Sequence, residues 1–367
     1  MRISIVKISF LGTWLTLILF ACGPSTKNQQ SSEKGLKDYY KDYFSMGVAV
    51  SPRSLKDSQA ELIKEQFISI TPENVMKMGP IHPAQGQFIW GPGDQIVEFA
   101  QENNMKIRGH ALCWHKQVPD WLFKNADGTE VSKEELLRRL EHHITNVVSH
   151  YKDDIYAWDV VNEAISDKDG EFYRDSKWYQ ICGEDYIAKA FEYARAADPD
   201  LELFYNDYNV INPKKRQKIY ELIKSLKEKG VPIDGVGIQG HWSIFEPSED
   251  QLRQTIQQFT DLGVKVQITE LDVSIYEKEH SRRDKLPTDK DDFTPELQQQ
   301  QMDQYEMIFR VFRENKDHLN AVTFWNISDK YSWLDNFPVL DRKDYPLLFD
   351  EKLKPKEAYW KVVNFKE

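Results

Sequence analysis

Cysteine is scarce in this chain, with only three in 367 residues, and this excludes a small scaffold held together by disulfide bridges. Basic residues are also in deficit, because 48 Lys and Arg stand against 59 Asp and Glu and give a formal net charge of -11. A surface that binds phosphate groups needs clustered positive charge, so we exclude nucleic acid as a partner. The sequence also lacks a Gly-rich phosphate loop and any metal-ligand spacing, and we therefore predict no cofactor and no metal.

One long apolar run is present, and it lies at the amino terminus. Arg2 and Lys7 precede an apolar stretch from 8 to 21, which is short for a membrane span and indicates a signal peptide over residues 1–22. The segment ends in LFAC, which resembles the lipobox of bacterial lipoproteins, in which the cysteine carries lipid and becomes the mature amino terminus. We therefore predict export with lipid attachment at Cys22, and ordinary secretion with cleavage nearby is the alternative.

The rest of the chain divides into a short linker and one long domain. Residues 23–35 are rich in Ser, Gln, Asn and Lys, which predicts a flexible tether to a lipid anchor in the outer membrane or at the cell surface. Residues 36–367 are long enough for one α/β barrel, and no second linker interrupts them, so we expect a single domain and a monomer. Within it we predict that Cys113 and Cys182 are buried thiols, with a disulfide between them as the alternative.

Strand-like and helix-like patterns alternate along this domain. Four stretches have the apolar period of amphipathic helices, at 133–151, 186–197, 213–230 and 295–315. Strands separated by such helices imply a parallel sheet, and eight of them predict a closed (β/α)8 barrel of the α/β class. The eight strand-like runs are 46–50, 67–70, 105–110, 155–161, 201–206, 235–239, 264–269 and 321–326.

Two carboxylates stand at the ends of these strands. Glu163 follows the fourth strand in WDVVNEA, and Glu270 ends the seventh strand in VQITELDV. In an α/β barrel the loops after the strands build the active site, so both acids are expected at one mouth. Hydrolysis of a glycosidic bond needs such a pair, with one acid protonating the leaving oxygen and one ionised carboxylate meeting the positive charge at the anomeric carbon. We assign Glu163 to the first role and Glu270 to the second.

Several motifs around these acids resemble those of glycoside hydrolase family 10, the β-1,4-xylanases, and they occur in the family's order over residues 36–367. The resemblance implies retaining endo-hydrolysis of xylan through a covalent glycosyl-enzyme, with xylan and xylo-oligosaccharides as partners. A barrel glycosidase acting on β-1,4-glucan and a non-catalytic glycan-binding lipoprotein are the alternatives. The motifs are PENVMK (72–77), RGHALCWHKQ (108–117), WDVVNE (158–163), YNDYN (205–209), GVGIQGHW (235–242), ITELDV (268–273) and FWNISDKYSWL (324–334).

Three further residues are predicted to assist the two acids. Asn162 forms an Asn-Glu pair with the acid, and the resemblance implies that its amide donates to the 2-hydroxyl of the sugar. Asp272 lies two positions after Glu270 and projects to the same side of an extended strand. With His241 it can form a chain in which Asp272 orients the imidazole and the imidazole donates to Glu270. Such a bond favours the ionised nucleophile.

Substrate contacts are assigned mainly by the resemblance. Trp325 and Trp333 are implied to flank the sugar at the catalytic subsite and to exclude a hydroxymethyl group, which would select xylose over glucose. Strand position places Asn206, Tyr208 and Gln239 on the same face. Residues implied to bind the sugar on the non-reducing side are Glu73, Asn74, Lys77, His110, Trp114 and Gln117.

Two other features receive structural interpretations. His142 and His143 sit in a helical stretch, and we predict that they are surface residues and not metal ligands. The charged segment 277–293 lacks apolar periodicity and is predicted to be a long loop after the seventh strand. It is either a border of the leaving-group side of the cleft or a solvated excursion.

Overall fold

The structure is a computed structural model that describes residues 34–279 and 281–366; the predicted signal peptide, Cys22 and nearly all of the predicted tether lie outside these residues. Nine parallel-pairing strands are found in the described part of the chain. They are β1 Ser45–Val50, β2 Ser69–Pro72, β3 Lys106–Cys113, β4 Ile155–Asn162, β5 Glu202–Asp207, β6 Gly235–Ile238, β7 His241–Ser243, β8 Lys265–Ser274 and β9 Leu319–Phe324.

Helices lie between these strands. The four long helices predicted from the sequence are present with nearly the expected bounds, over Lys133–His150, Asp185–Ala197, Pro213–Glu228 and Pro295–Glu314. The full set in the described residues is α1 Leu36–Tyr39, α2 Asp57–Gln66, α3 Met78–Ile81, α4 Gly91–Glu102, α5 Lys133–His150, α6 Lys177–Cys182, α7 Asp185–Ala197, α8 Pro213–Glu228, α9 Glu249–Thr260, α10 Pro295–Glu314 and α11 Glu357–Val363. None of them is long and apolar enough to cross a membrane.

The strands close into a barrel. The pairing order runs from β1 through β6, then to β8 and β9, and β9 pairs with β1. All eight predicted strands are therefore present, and the predicted (β/α)8 fold is confirmed. The interior is packed with side chains, as Gly109 of β3 and Trp158 of β4 illustrate. A Cβ atom at Gly109 would lie 2.3 Å from the indole of Trp158, so only glycine leaves room for this ring.

The sixth barrel strand is interrupted where the site begins. Gly240 separates β6 from β7 with a φ of +81°, a backbone conformation that glycine adopts without strain. After this break, β7 pairs with β8 in a register that sets His241 beside Asp272. The Glu270 amide of β8 donates to the carbonyl of Gln239, just before the break, at 2.6 Å, so β8 is paired on both sides of the break. Backbone pairing between these strands therefore determines where the residues at the mouth of the barrel lie.

Candidate active site

Glu163 is held at the mouth by an unusual backbone conformation. It directly follows β4 and has a φ of +58°, in the left-handed region that non-glycine residues rarely adopt. Its backbone N–H donates to the carbonyl of Asn206 at 2.9 Å, and its own carbonyl accepts from Arg174 Nε at 2.8 Å. Such strain persists only where the surroundings hold it, and it is concentrated at functional sites. The side chain is buried at the floor of the cleft.

Glu270 is a buried carboxylate with a donor on each oxygen. Its Oε1 accepts from Asn206 Nδ2 at 2.8 Å, and its Oε2 accepts from His241 Nε2 at 3.0 Å. Burial alone would raise the pKa of Glu270, but the hydrogen bond from His241 and the electrostatic interactions with His110 and His241 outweigh it. The pKa therefore lies below the usual glutamate value, and the group is ionised at neutral pH.

His241 is a doubly protonated imidazole. Burial opposes its charge, but Asp272 and Glu270 together raise its pKa to about 10. Its Nδ1 donates to Asp272 Oδ2 at 2.9 Å, and the same oxygen accepts from the Trp333 indole Nε1 at 2.9 Å. The predicted chain from Asp272 through His241 to Glu270 is therefore present as geometry, and Trp333 is an additional member that fixes its orientation.

Side-chain amides connect the two acids. Gln239 Nε2 donates to Glu163 Oε1 at 3.2 Å and lies 3.3 Å from Asn162 Oδ1. Asn206 Nδ2 lies 3.0 Å from the same Asn162 oxygen while it donates to Glu270. All three amides were predicted at this face. They join the carboxylates in one network, so the relative position of the two acids is rigidly defined.

A second group of predicted residues lies beside the amides. Lys77 is buried, and its Nζ donates to Asn74 Oδ1 at 2.9 Å, which also accepts from Gln117 Nε2 at 3.2 Å. The Lys77 ammonium lies 4.8 Å from the ring centroid of Trp114 and 5.9 Å from that of Trp325. Burial lowers the pKa of Lys77, although the negative charges of nearby acids, Glu270 foremost, oppose this. These side chains form one wall of the cleft.

His110 joins this wall to a buried ion pair that the sequence analysis did not single out. Its Nδ1 lies 2.8 Å from Asp159 Oδ2, and its ring packs edge-on against Trp325 at 5.3 Å between centroids. The Arg108 guanidinium pairs with both oxygens of Asp159, and its Nε donates to Gln267 Oε1 at 2.7 Å. The arginine, opposing burial, holds the pKa of Asp159 below its usual range. In the sequence, the available signal for this ion pair was the presence of charged residues inside apolar strands.

Two grooves flank the acids on opposite sides of the mouth. One, of about 460 Å³, is lined by Glu73 and Trp333 among others. The other, of about 420 Å³, is lined by Asn209, Phe245 and Lys278 among others. Trp333 in the first groove packs against His241, and Lys278 in the second donates to the His241 carbonyl, so each groove adjoins the catalytic residues. The described residues of segment 277–293 form a loop between β8 and α10, as predicted, and Lys278 borders the second groove.

Tyr208 is less available than the sequence suggests. Its hydroxyl is hydrogen-bonded to Asp167 and accepts from Arg174 at 2.8 Å, and the Lys215 ammonium lies 3.6 Å from its ring centroid. These contacts engage the hydroxyl and one face of the ring. A sugar can therefore contact Tyr208 only through the remaining part of the ring.

One prediction about the histidines is wrong. His142 is exposed, but His143 is fully buried, with its Nδ1 3.2 Å from the Nδ1 of His82. The apolar stripe of α5 includes Leu136, Leu140 and Val147, and His143 lies in the same stripe. The helical period therefore contained the signal for burial. The prediction for the cysteines is confirmed, because Cys113 and Cys182 are both buried and unpaired.

Comparison with known proteins identifies relatives over almost the whole domain. The family described as Glycosyl hydrolase family 10 matches residues 35–365. A β-1,4-xylanase of Dictyoglomus thermophilum is 45% identical over 361 residues, which cover 98% of this chain and 99% of the relative. Endo-1,4-β-xylanase B of Paenibacillus barcinonensis is 45% identical over 325 residues, which cover 89% of this chain and 96% of the relative.

Solved structures agree with this assignment. The crystal structure of a xylanase from Paenibacillus barcinonensis bound to a conduramine derivative superposes with a TM-score of 0.86 and 45% identity, covering 90% of this chain and 98% of that one. An endo-1,4-β-xylanase from Caldicellulosiruptor owensensis has a TM-score of 0.85 and 47% identity, with 90% and 99% covered. Sequence and fold therefore point to the same relatives.

Proposed function

We propose, because this chain belongs to glycosyl hydrolase family 10, a specific activity for it. The protein hydrolyses internal β-1,4-xylosidic bonds of xylan with retention of configuration. The observation that carries the proposal is the state of Glu270, a buried carboxylate with a lowered pKa and one donor on each oxygen. Such a group is prepared to act as a nucleophile. Glu163 faces it across the amide network, where its Oε1 accepts from Gln239 Nε2 at 3.2 Å, and we assign it the proton exchange with the leaving group.

The reaction then follows in two steps. Glu270 attacks the anomeric carbon while Glu163 donates its proton to the departing glycosidic oxygen, and a covalent glycosyl-enzyme forms. In the second step Glu163 takes a proton from water, the water oxygen attacks the same carbon, and Glu270 leaves as a carboxylate. Asn206 and His241, through their hydrogen bonds to Glu270, stabilise the negative charge that returns to this carboxylate. Two inversions at one carbon give net retention.

The remaining assignments are proposals about substrate contact. The wall formed by Asn74, Lys77, Trp114 and Gln117, with Glu73 and His110 beside it, binds the sugar on the non-reducing side, and Asn162 contacts its 2-hydroxyl. Trp333 is locked by its hydrogen bond to Asp272 and packs 4.8 Å from His241, so its indole cannot move aside easily. Together with Trp325 it excludes a hydroxymethyl group. This disfavours β-1,4-glucan, and the intact pair of acids disfavours a purely binding protein.

The two grooves beside the catalytic residues support internal cleavage. A groove at each end allows a polymer to extend past both acids, and binding energy from remote sugars lowers the barrier for long substrates. The test is to incubate the purified protein with xylan, β-glucan and carboxymethyl cellulose and to follow viscosity and product size. The viscosity of xylan should fall early, with oligosaccharides in excess over xylose. Early release of xylose alone, or equal activity on β-glucan, would contradict the proposal.

We also propose that the protein is an exported monomer, anchored to the outer membrane or cell surface through lipid on Cys22, with residues 36–367 as one catalytic domain and 23–35 as its tether. The net charge of -11 is compatible with binding a neutral polysaccharide and is unfavourable for binding nucleic acid. Cys22→Ala should move the protein from the membrane fraction to the soluble fraction in its native host. Mass spectrometry of the mature amino terminus should find lipid on the wild type.

A further inference from the structure

The groove beyond Tyr208 contains an exposed aromatic ring with no role in the reaction described above. Phe245 is 56% exposed, the most exposed of the large apolar side chains among the residues that the structure describes. It stands at the tip of a tight turn closed by two backbone hydrogen bonds between Ser243 and Glu246, at 3.1 and 3.2 Å. The Phe245 amide also donates to Ser243 Oγ at 3.2 Å. The ring is therefore presented to solvent by an ordered turn.

Lys278 connects this groove to the catalytic residues by hydrogen bonds. The Lys278 ammonium donates to the backbone carbonyl of His241 at 3.3 Å and to Asn209 Oδ1 at 2.5 Å, and it pairs with Glu246 Oε1 at 3.5 Å. His241 in turn contacts the nucleophile. One side chain thus connects the turn that carries Phe245 to the centre of the site.

A second path leads from the acid/base to the same groove. Arg174 binds the backbone carbonyl of Glu163 at 2.8 Å and the hydroxyl of Tyr208 at 2.8 Å. Asn209 follows Tyr208 and lines the groove. Glu163 protonates the leaving oxygen, and the residues proposed for the non-reducing side follow β2, β3 and β9. The groove lies among the loops after β5, β7 and β8 and is therefore on the leaving-group side.

We propose, on the basis of the xylanase activity proposed above, that Phe245 is a stacking platform for a further sugar ring of the leaving group, beyond the ring beside Tyr208. The C–H face of a pyranose packs against an exposed aromatic plane, and a few polar groups at the rim orient it. Lys278 and Glu246 supply that rim. Their charges cancel, which suits the hydroxyls of a neutral sugar. Phe245 thereby selects long leaving groups and does not act on the reacting atoms.

The test compares substrates of different length. Phe245→Ala should lower kcat/KM for xylohexaose by about 3- to 10-fold, the range expected for one aromatic contact, while an aryl xylobioside, whose leaving group cannot reach the ring, is hydrolysed as by the wild type. With xylohexaose labelled at the reducing end, the distribution of labelled products should shift towards shorter ones. Phe245→Tyr should restore both. Trp360→Ala, which removes an exposed aromatic from α11, should change neither.

Each outcome decides between the two proposals. An unchanged label distribution and unchanged kcat/KM on xylohexaose in Phe245→Ala would overturn the platform. An equal loss on xylohexaose and on the aryl xylobioside would also overturn it, because the residue would then act on the fold or on the catalytic centre. A wild-type protein inactive on both substrates would instead defeat the proposed function.

Discussion

His241 donates a hydrogen bond of 3.0 Å to Glu270, and this imidazole carries a full positive charge because its pKa is raised to about 10. A cationic donor stabilises the ionised carboxylate more than a neutral donor does. The pairing of β7 with β8 places the two residues together, since it sets His241 beside Asp272, two positions after Glu270. The charge state of the nucleophile is thus a consequence of strand register.

Replacing His241 by Ala should shift the pH dependence of the reaction. The pKa of Glu270 is held below its usual value partly by His241, so it should rise when this donor is lost. Glu270 must be ionised to attack, and the acidic limb of kcat/KM should therefore move to higher pH. Measured pH profiles test this. His142→Ala, on the exposed face of α5, should keep the wild-type limb, and an unmoved limb in His241→Ala would place His241 outside the network.

Replacing Glu270 by Ala should abolish turnover of every β-xyloside, by more than about 10³-fold, because no covalent intermediate can form. Circular dichroism should remain that of the wild type, and binding of xylo-oligosaccharides should persist, since the walls of the cleft are unchanged. Glu171→Ala, outside the cleft network, is a suitable control for loss of a carboxylate. Hydrolysis above that of a blank preparation would remove Glu270 from the role of nucleophile.

Replacing Glu163 by Ala should separate two classes of substrate. Xylan should lose about 10²- to 10⁴-fold in rate, because its leaving oxygen needs a proton. An aryl xylobioside with a good leaving group should still form the intermediate, which then waits for a water molecule that no base activates. Stopped-flow measurements should find a burst followed by slow turnover. Equal loss on both substrates, with no burst, would argue against Glu163 as the acid/base.

The sequence was sufficient for features determined by local pattern. Strand positions follow from apolar runs, and strand ends placed Glu163 and Glu270 at one mouth. Apart from the predicted chain of Asp272, His241 and Glu270, contacts between distant segments were beyond it. The partner of Asp159 is Arg108, 51 positions earlier, and nothing local to either residue specifies the pair. Phe245 is similar, because its exposure depends on how a turn sits in the finished barrel.

His143 is an instructive error, because the helical period already placed it on the buried face of α5. The prediction treated His142 and His143 alike, although they lie on different faces of the helix. What no local pattern provides is its partner, His82, which is 61 positions away. Their rings stack at 5.4 Å between centroids, and His82 also stacks on Phe88 at 4.0 Å. Two neutral imidazoles share one hydrogen bond in an apolar setting.

This pair should make the protein sensitive to acid. Burial lowers the pKa of His82 to about 4 and that of His143 to about 3, against 6.5 for an unperturbed histidine. Well above pH 6.5 both are neutral in folded and unfolded chains, so they cause no pH dependence there. Below it the unfolded chain binds protons that the folded chain does not. Stability should therefore fall as pH decreases from 6.5 towards 4.

Urea unfolding at several pH values measures this effect. Each histidine should contribute a slope that approaches about 1.4 kcal/mol per pH unit between pH 6 and 4.5, and a double variant, His82→Gln with His143→Gln, should lose that part of the slope. The nearby titratable group is His142, whose exposed ring lies 5.9 Å from that of His82. His142→Gln should therefore nearly preserve the wild-type slope.

The double variant can be less stable at pH 8, because a buried contact is altered. The test is the slope of its free energy of unfolding against pH, not the absolute value. A double variant as steep as the wild type would show that other groups cause the acid sensitivity.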